Sequence, residues 1–132
     1  MSQNQTILFV CEHGAAKIVI AAAYFNKLAL ESNSTLRAVA RGTNPDDELS
    51  SNTINGLHTD GLTPTESKPQ KLSLADLESS QRIISFCELP KEFQDRIPIE
   101  QWDNVPPVSE NYKKARDAIL DHLKHLIPNP PR

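Results

Sequence analysis

Apolar and polar positions along this chain switch repeatedly between two periods. Thr6 to Cys11 (TILFVC) is β-branched and aromatic, and it predicts a buried strand. Ala16 to Leu30 is rich in Ala and Leu with no breaker, which predicts a helix. Thr35 to Ala40 alternates and reads as a second strand, followed by a turn-rich loop at 42–47 (GTNPDD). Leu49 to Thr59 reads as a helix, with Gly61 just past its end as a stop signal. An extended loop with two prolines covers 62–72, and Ser73 to Ser79 opens as Ser-Leu-Ala-Asp, a short capped helix. Arg82 to Cys87 (RIISFC) predicts a third strand and Ile97 to Trp102 a fourth, before a rigid loop at 103–108 (DNVPPV). Ser109 to Ile127 is amphipathic, with Tyr112, Ala115, Ile119, Leu123 and Leu126 on one helical face. The tail PNPPR ends it.

Strand and helix in alternation imply parallel pairing, with helices on both faces of the sheet. The expected fold is therefore α/β, a three-layer α/β/α arrangement around a parallel sheet of about four strands. No internal repeat divides the chain, and 1–132 reads as one domain. Ligands of such sheets bind where strands end and loops lead into helices. Cys11 and Cys87 each close a predicted strand, so both thiols are expected at that edge, facing one crevice.

Composition narrows the class. A chain of 132 residues suits a single core, and an apolar content of 38% fits a globular protein. The net charge of −3 offers no basic surface for nucleic acid or an anionic membrane. Residues 1 to 10 lack the basic start, apolar core and cleavage site of a secretion signal. The apolar run Ile18 to Phe25 is too short to span a bilayer. Two cysteines make no disulfide framework, so a cytoplasmic, reducing compartment with both thiols free is expected.

The stretch FVCEHGAAKIV concentrates the chemistry. A helix N-terminus presents unpaired N–H groups and partial positive charge, and a small-residue loop leading into it can wrap those groups around an anion. Gly14, Ala15 and Ala16 keep the loop small, and Lys17 adds a cation at the first helical turn. Glu12, His13, Gly14, Ala15, Ala16 and Lys17 are thus the candidate oxyanion-binding residues, with Cys11 as the nucleophile at their base. The field that holds an anion also favours a thiolate, so Cys11 is expected to ionise more readily than Cys87. A nucleotide P-loop is excluded, because Ile18 follows Lys17 where Ser or Thr is needed. His122 and His125, or Cys11 with His13, lack a third ligand, so neither a metal nor a cofactor is expected. Arg41 and Lys68 read as surface charges, and Trp102 as a core residue.

The layout strand–Cys-x5-cation–helix near the N-terminus resembles the low-molecular-weight protein tyrosine phosphatases and the thioredoxin-coupled arsenate reductases. ARGTNP (40–45), HTDGLTPTESKPQKLS (58–73), IISFCELP (83–90) and IEQWDNVPPVSENYKKARDAILDHL (99–123) resemble further segments of that family, in its order. The resemblance implies a phosphatase-like fold in which the strands before Cys11 and Cys87 lie side by side. It implies a nucleophilic Cys11, an anion contact from Lys17, a resolving thiol at Cys87 and a general acid near Asp103.

The chain also departs from that pattern. Lys17-Ile18 stands where the family has Arg followed by Ser or Thr, and Lys offers a point charge where Arg offers a planar fork. The loop's Asn is missing and Glu12 stands beside the nucleophile. Pro106-Pro107 occupies the acid loop's Asp-Pro position, which leaves Asp103 as the candidate acid. No aromatic wall for a phosphotyrosine ring is visible in 42–49. The expected function is a thiol-dependent enzyme acting on a small tetrahedral oxyanion: arsenate, phosphate or a phosphomonoester. An arsenate reductase would need a thioredoxin-type reductant for a Cys11–Cys87 disulfide. A phosphatase and an oxyanion-binding module with little turnover are the alternatives.

Overall fold

The TILFVC strand forms as β1 (Thr6–Cys11), and its four inner residues, Ile7 to Val10, are buried. The computed structural model describes residues 6–87, 91, 99–102 and 104–126. After β1 come α1 (Lys17–Glu31), β2 (Arg37–Gly42), α2 (Ser51–Thr59), α3 (Leu74–Ser79), β3 (Ser80–Ser85), β4 (Glu100–Gln101) and α4 (Tyr112–Leu123). Among the described residues the sheet has the order β2-β1-β3-β4, and every pair is parallel. β1 and β3 are direct neighbours, with Val10 opposite Ser85.

Alternate residues of β1 feed two cores, as the period of a strand requires. Ile7 and Phe9 join α1 and α4 on one face, while Leu8 and Val10 join Leu77 of α3 on the other. The first core contains an aromatic column. Phe9 contacts Phe25, Phe86 and Trp102, and the His122 ring stacks on Trp102 at 4.4 Å. Trp102 is buried, as its sequence context suggests. The His122 Nε2 lies 2.7 Å from Asn104 Oδ1.

Element ends differ from the pattern for local reasons. β2 begins two residues later than the alternation suggests, because a turn occupies Ser34 to Leu36. There the Ser34 hydroxyl accepts from the Leu36 amide, and the Arg37 guanidinium donates to the Ser34 and Leu36 carbonyls. β3 spans Ser80–Ser85, so Cys87 sits two residues beyond the strand instead of closing it. α4 starts at Tyr112 because the Asn111 side chain caps it, accepting from the Lys114 amide at 3.0 Å. α3 has the capping box read from Ser73 and Asp76. Gly61 adopts φ +80° just past α2, the left-handed conformation that its stop role requires.

Asp60, the C-cap of α2, gathers three helices. Tyr24 of α1 and Tyr112 of α4 donate hydroxyls to it, and Arg116 of α4 adds an ion pair at 3.1 Å. Burial works against its charge, but these hydrogen bonds outweigh that and hold the carboxyl below its ordinary value. Burial and the Asp60 hydrogen bond together push the Tyr24 hydroxyl up to about 12. On the open edge of β2, the Asn26 side-chain amide pairs with both the N–H and the C=O of Ala38, which blunts that edge. No described helix is long and apolar enough to cross a membrane.

Candidate active site

The loop after β1 is riveted from outside. The carbonyls of Cys11, Glu12, His13 and Ala15 accept from the amides of Thr43, Asn44, Asp46 and Ser50, at 3.0, 2.8, 3.0 and 2.9 Å. Two glycines allow this approach. Gly14 has φ +65°, and a Cβ there would meet Gly42 at 3.2 Å; a Cβ on Gly42 would meet the Glu12 carbonyl at 2.9 Å. With the carbonyls turned out, the loop's amides face in. Those of Glu12 and His13 act on the Cys11 sulfur in favour of its thiolate. Ala16, the N-cap of α1, has no side chain able to cap the helix. Among the described residues, the amides of Gly14 to Ile18 donate to no protein acceptor.

These groups line a cavity of about 390 Å³. The loop from His13 to Ile18 lines it together with Asp46 and Ser50. Pro107, Val108 and Ser109 join them, and Phe86 and Cys87 complete the lining. Cys11 and Cys87 therefore meet in one space, as their placement after neighbouring strands implies. Both are free and half-buried. Cys11 packs against the larger core and Cys87 against the smaller, so the thiols approach from opposite faces of the sheet's carboxyl edge.

The two thiols are electrostatically coupled, and the coupling favours the charge on Cys87. The neighbouring Cys11 thiol pulls the Cys87 pKa down to about 6 despite its burial; the Ser85 hydroxyl and the Glu12 amide assist. The same pairing, then burial, then the Cys87 charge push Cys11 well above the usual thiol range. Beside the expectation of a more acidic Cys11, the pairing of the two thiols is a second influence that acts toward a thiolate on Cys87. A loop that favours a thiolate has a second sulfur beside it, and the more exposed one, with a hydroxyl partner, takes the charge.

The remaining candidates divide. Lys17, Gly14, Ala15 and Ala16 line the cavity. Lys17 has no ion-pair partner among the described residues. His13 sits at the rim, half-exposed, with Nδ1 3.1 Å from Asp46 Oδ1 and Nε2 3.8 Å from Glu12 Oε2. Glu12 acts on the thiols through its backbone amide, while its exposed carboxylate, 3.8 Å from His13 Nε2, works against a Cys87 thiolate. Asp103 lies outside the described residues. Arg41 is not a surface charge: it is paired within the protein to Glu66 at 2.7 Å and Asp76 at 3.3 Å. Lys68 is exposed, as expected. No group of His, Cys, Asp or Glu among the described residues could hold a metal ion. Sequence reasoning missed Ser85, Phe86 and Asp46. Ser85 carries a legible signal, a lone hydroxyl inside the apolar run RIISFC.

No protein-family model matches the chain, and no curated protein does. Solved structures do. An arsenate reductase from Archaeoglobus fulgidus is 24% identical, with 91% of this chain and 97% of that one covered and a TM-score of 0.73. YfkJ from Bacillus subtilis is 17% identical, with 96% and 93% covered and a TM-score of 0.80. A low-molecular-weight protein tyrosine phosphatase from T. tengcongensis is 16% identical, with 96% and 100% covered and a TM-score of 0.74. At these identities the likeness establishes the fold: the α/β fold shared by low-molecular-weight phosphatases and arsenate reductases.

Proposed function

We propose that this protein is a thiol-dependent enzyme that acts on a small tetrahedral oxyanion, and that arsenate reduction is the chemistry its cavity suits best. The observation that carries the reading is the meeting of Cys11 and Cys87 in one cavity beside inward-facing amides and Lys17. A phosphatase needs one thiol and an acid. A reductase needs two thiols in contact, one of them ready as a thiolate.

The steps follow from that arrangement. The amides of Gly14 to Lys17 and the Lys17 ammonium hold three oxygens of arsenate. Cys11 sulfur bonds to arsenic, and the displaced hydroxyl leaves as water with the Cys11 proton. The Cys87 thiolate then attacks Cys11 sulfur. An S–S bond forms, the S–As bond breaks, and its electron pair stays on arsenic, which leaves as arsenite. The disulfide returns to two thiols through a dithiol protein of the thioredoxin type. Free thiols of this kind persist in a reducing compartment, which fits a cytoplasmic enzyme whose single domain spans 1–132.

The phosphatase alternative shares the first step, with phosphocysteine at Cys11 and Asp103 as the acid. Arsenate with thioredoxin, thioredoxin reductase and NADPH is the deciding assay, run beside para-nitrophenyl phosphate. Arsenite formation that vanishes in Cys87→Ser is the expected result. Phosphate release alone would make the protein a phosphatase, and binding without turnover in either assay would make it an oxyanion-binding module.

A further inference from the structure

Ser85 is 1% exposed and lies on the face of β3 that meets Leu8, Val10, Leu77 and Ile83. An apolar side chain is the economical occupant of such a position, because a buried hydroxyl needs a partner to offset its lost hydration. Among the described residues its hydrogen-bond partners all belong to one residue. Ser85 Oγ accepts from the Cys87 amide at 3.1 Å, donates to the Cys87 carbonyl, and lies 3.8 Å from Cys87 Sγ. The strand register puts Ser85 opposite Val10, one residue before Cys11, and alternation puts Ser85 and Cys87 on the same face. The hydroxyl beside the Cys87 thiol thus comes from the strand that leads into it.

We infer that Ser85 is a positioning residue, whose buried hydroxyl ends β3 and holds the Cys87 sulfur against Cys11 at the shared cavity. The hydroxyl has two acceptors within reach. It bonds the Cys87 carbonyl when the sulfur carries its proton and turns to the sulfur when that becomes a thiolate. Cys87 is thereby aimed for its attack on Cys11 by a side chain of its own strand. The ionisable groups that act most on Cys87 are Cys11 and Glu12, and His13, Lys17 and Asp46 line the same cavity. This inference rests on the reading that Cys87 is a reacting thiol, but its test does not require arsenate to be the substrate.

The decisive pair is Ser85→Thr and Ser85→Val, which match in volume and differ by the hydroxyl. Both are compared with the unaltered chain and with Ser85→Ala. Iodoacetamide labelling of Cys87 is followed by peptide mass across pH 4–9, with and without Cys11→Ser, and closure of the Cys11–Cys87 disulfide by dilute peroxide is timed. Ser85→Val and Ser85→Ala should move the Cys87 labelling inflection upward by roughly one pH unit, slowing labelling at pH 6 about fivefold, the scale of one hydrogen bond to a charged group. Disulfide closure should slow in parallel. Ser85→Thr should restore both. Equal inflections and closure rates in the Thr and Val variants would overturn the inference and leave Ser85 as a strand terminator only, whatever happens to melting temperature. If Ser85→Val does not fold, the Ser85→Ala and Ser85→Thr comparison decides by the same criterion. Loss of arsenate turnover in the assay above, with the labelling shift intact, would count against the reductase reading and not against Ser85.

Discussion

At Asp60, donors from α1 and α4 converge on a carboxylate at the end of α2, and every charge there has an opposite partner. At the thiol cavity the balance is reversed. The amides of Gly14 to Ile18 and the Lys17 ammonium have no protein acceptor among the described residues, while two coupled thiols face the same cavity. Both clusters are partly buried and both shift the ionisation of their members. The difference lies in completeness. A network that satisfies itself holds helices together. A ring of donors that does not is suited to an anion from outside. Shifted ionisation alone therefore does not distinguish scaffold from site; the count of unanswered donors does.

Changes that attack the two clusters should separate stability from reactivity. The largest effect is expected from Asp60→Ala, which strands Arg116 and two tyrosine hydroxyls. A loss of about 3 kcal/mol in urea unfolding is expected, the usual scale for breaking a partly buried pair. Oxyanion protection of the thiols should survive in the folded fraction. Because the folded Asp60 carboxyl is held below its ordinary value, its contribution to stability is present above the unfolded value. It is lost as pH falls through the folded value. The acid limb of the stability curve should accordingly flatten in Asp60→Asn. Loss of thiol protection in the folded Asp60 variants would erase the distinction between the clusters.

Lys17→Ala should do the reverse. Phosphate or arsenate protection of the thiols from iodoacetamide should weaken by about 1–3 kcal/mol, the range for a charge-assisted hydrogen bond. Stability should stay within about 0.5 kcal/mol, as for surface changes. Lys27→Ala, further along α1, is the control and should alter neither beyond that margin. Gly14→Ala is the smallest and most telling change. Its φ of +65° and the 3.2 Å approach to Gly42 predict a stability loss of about 1–2 kcal/mol. This residue alone should move both readouts, because it joins loop to scaffold. A stability-neutral Gly14→Ala would mean the loop is not pressed on Gly42 as described.

Much of this was readable from residue order. TILFVC, the Ala-rich run after it and the Ser73 capping box are local signals, and they formed where local chemistry placed them. The ends of β2 and β3 were not, because Ser34 and Ser85 side chains compete with the ladder for backbone groups. Alternation of apolar residues cannot reveal that competition. In the site, the small residues of the loop and the cation at the helix start were legible from Cys11 to Lys17. The ordering of the thiols' acidities was not, since it depends on a contact between residues 11 and 87 that only the β1–β3 pairing creates. Arg41 was misread for the same reason: its partners Glu66 and Asp76 are distant in sequence.

The claim that the two thiols work as one pair in one anion site is tested most directly by mild peroxide oxidation of the intact chain, with and without phosphate, read by peptide mass. The expected result is an intramolecular Cys11–Cys87 disulfide, seen as a loss of about 2 Da and one linked peptide pair, forming more slowly when phosphate occupies the loop. Sulfenic acid on a single cysteine, dimers linked between chains, or closure indifferent to phosphate would contradict it.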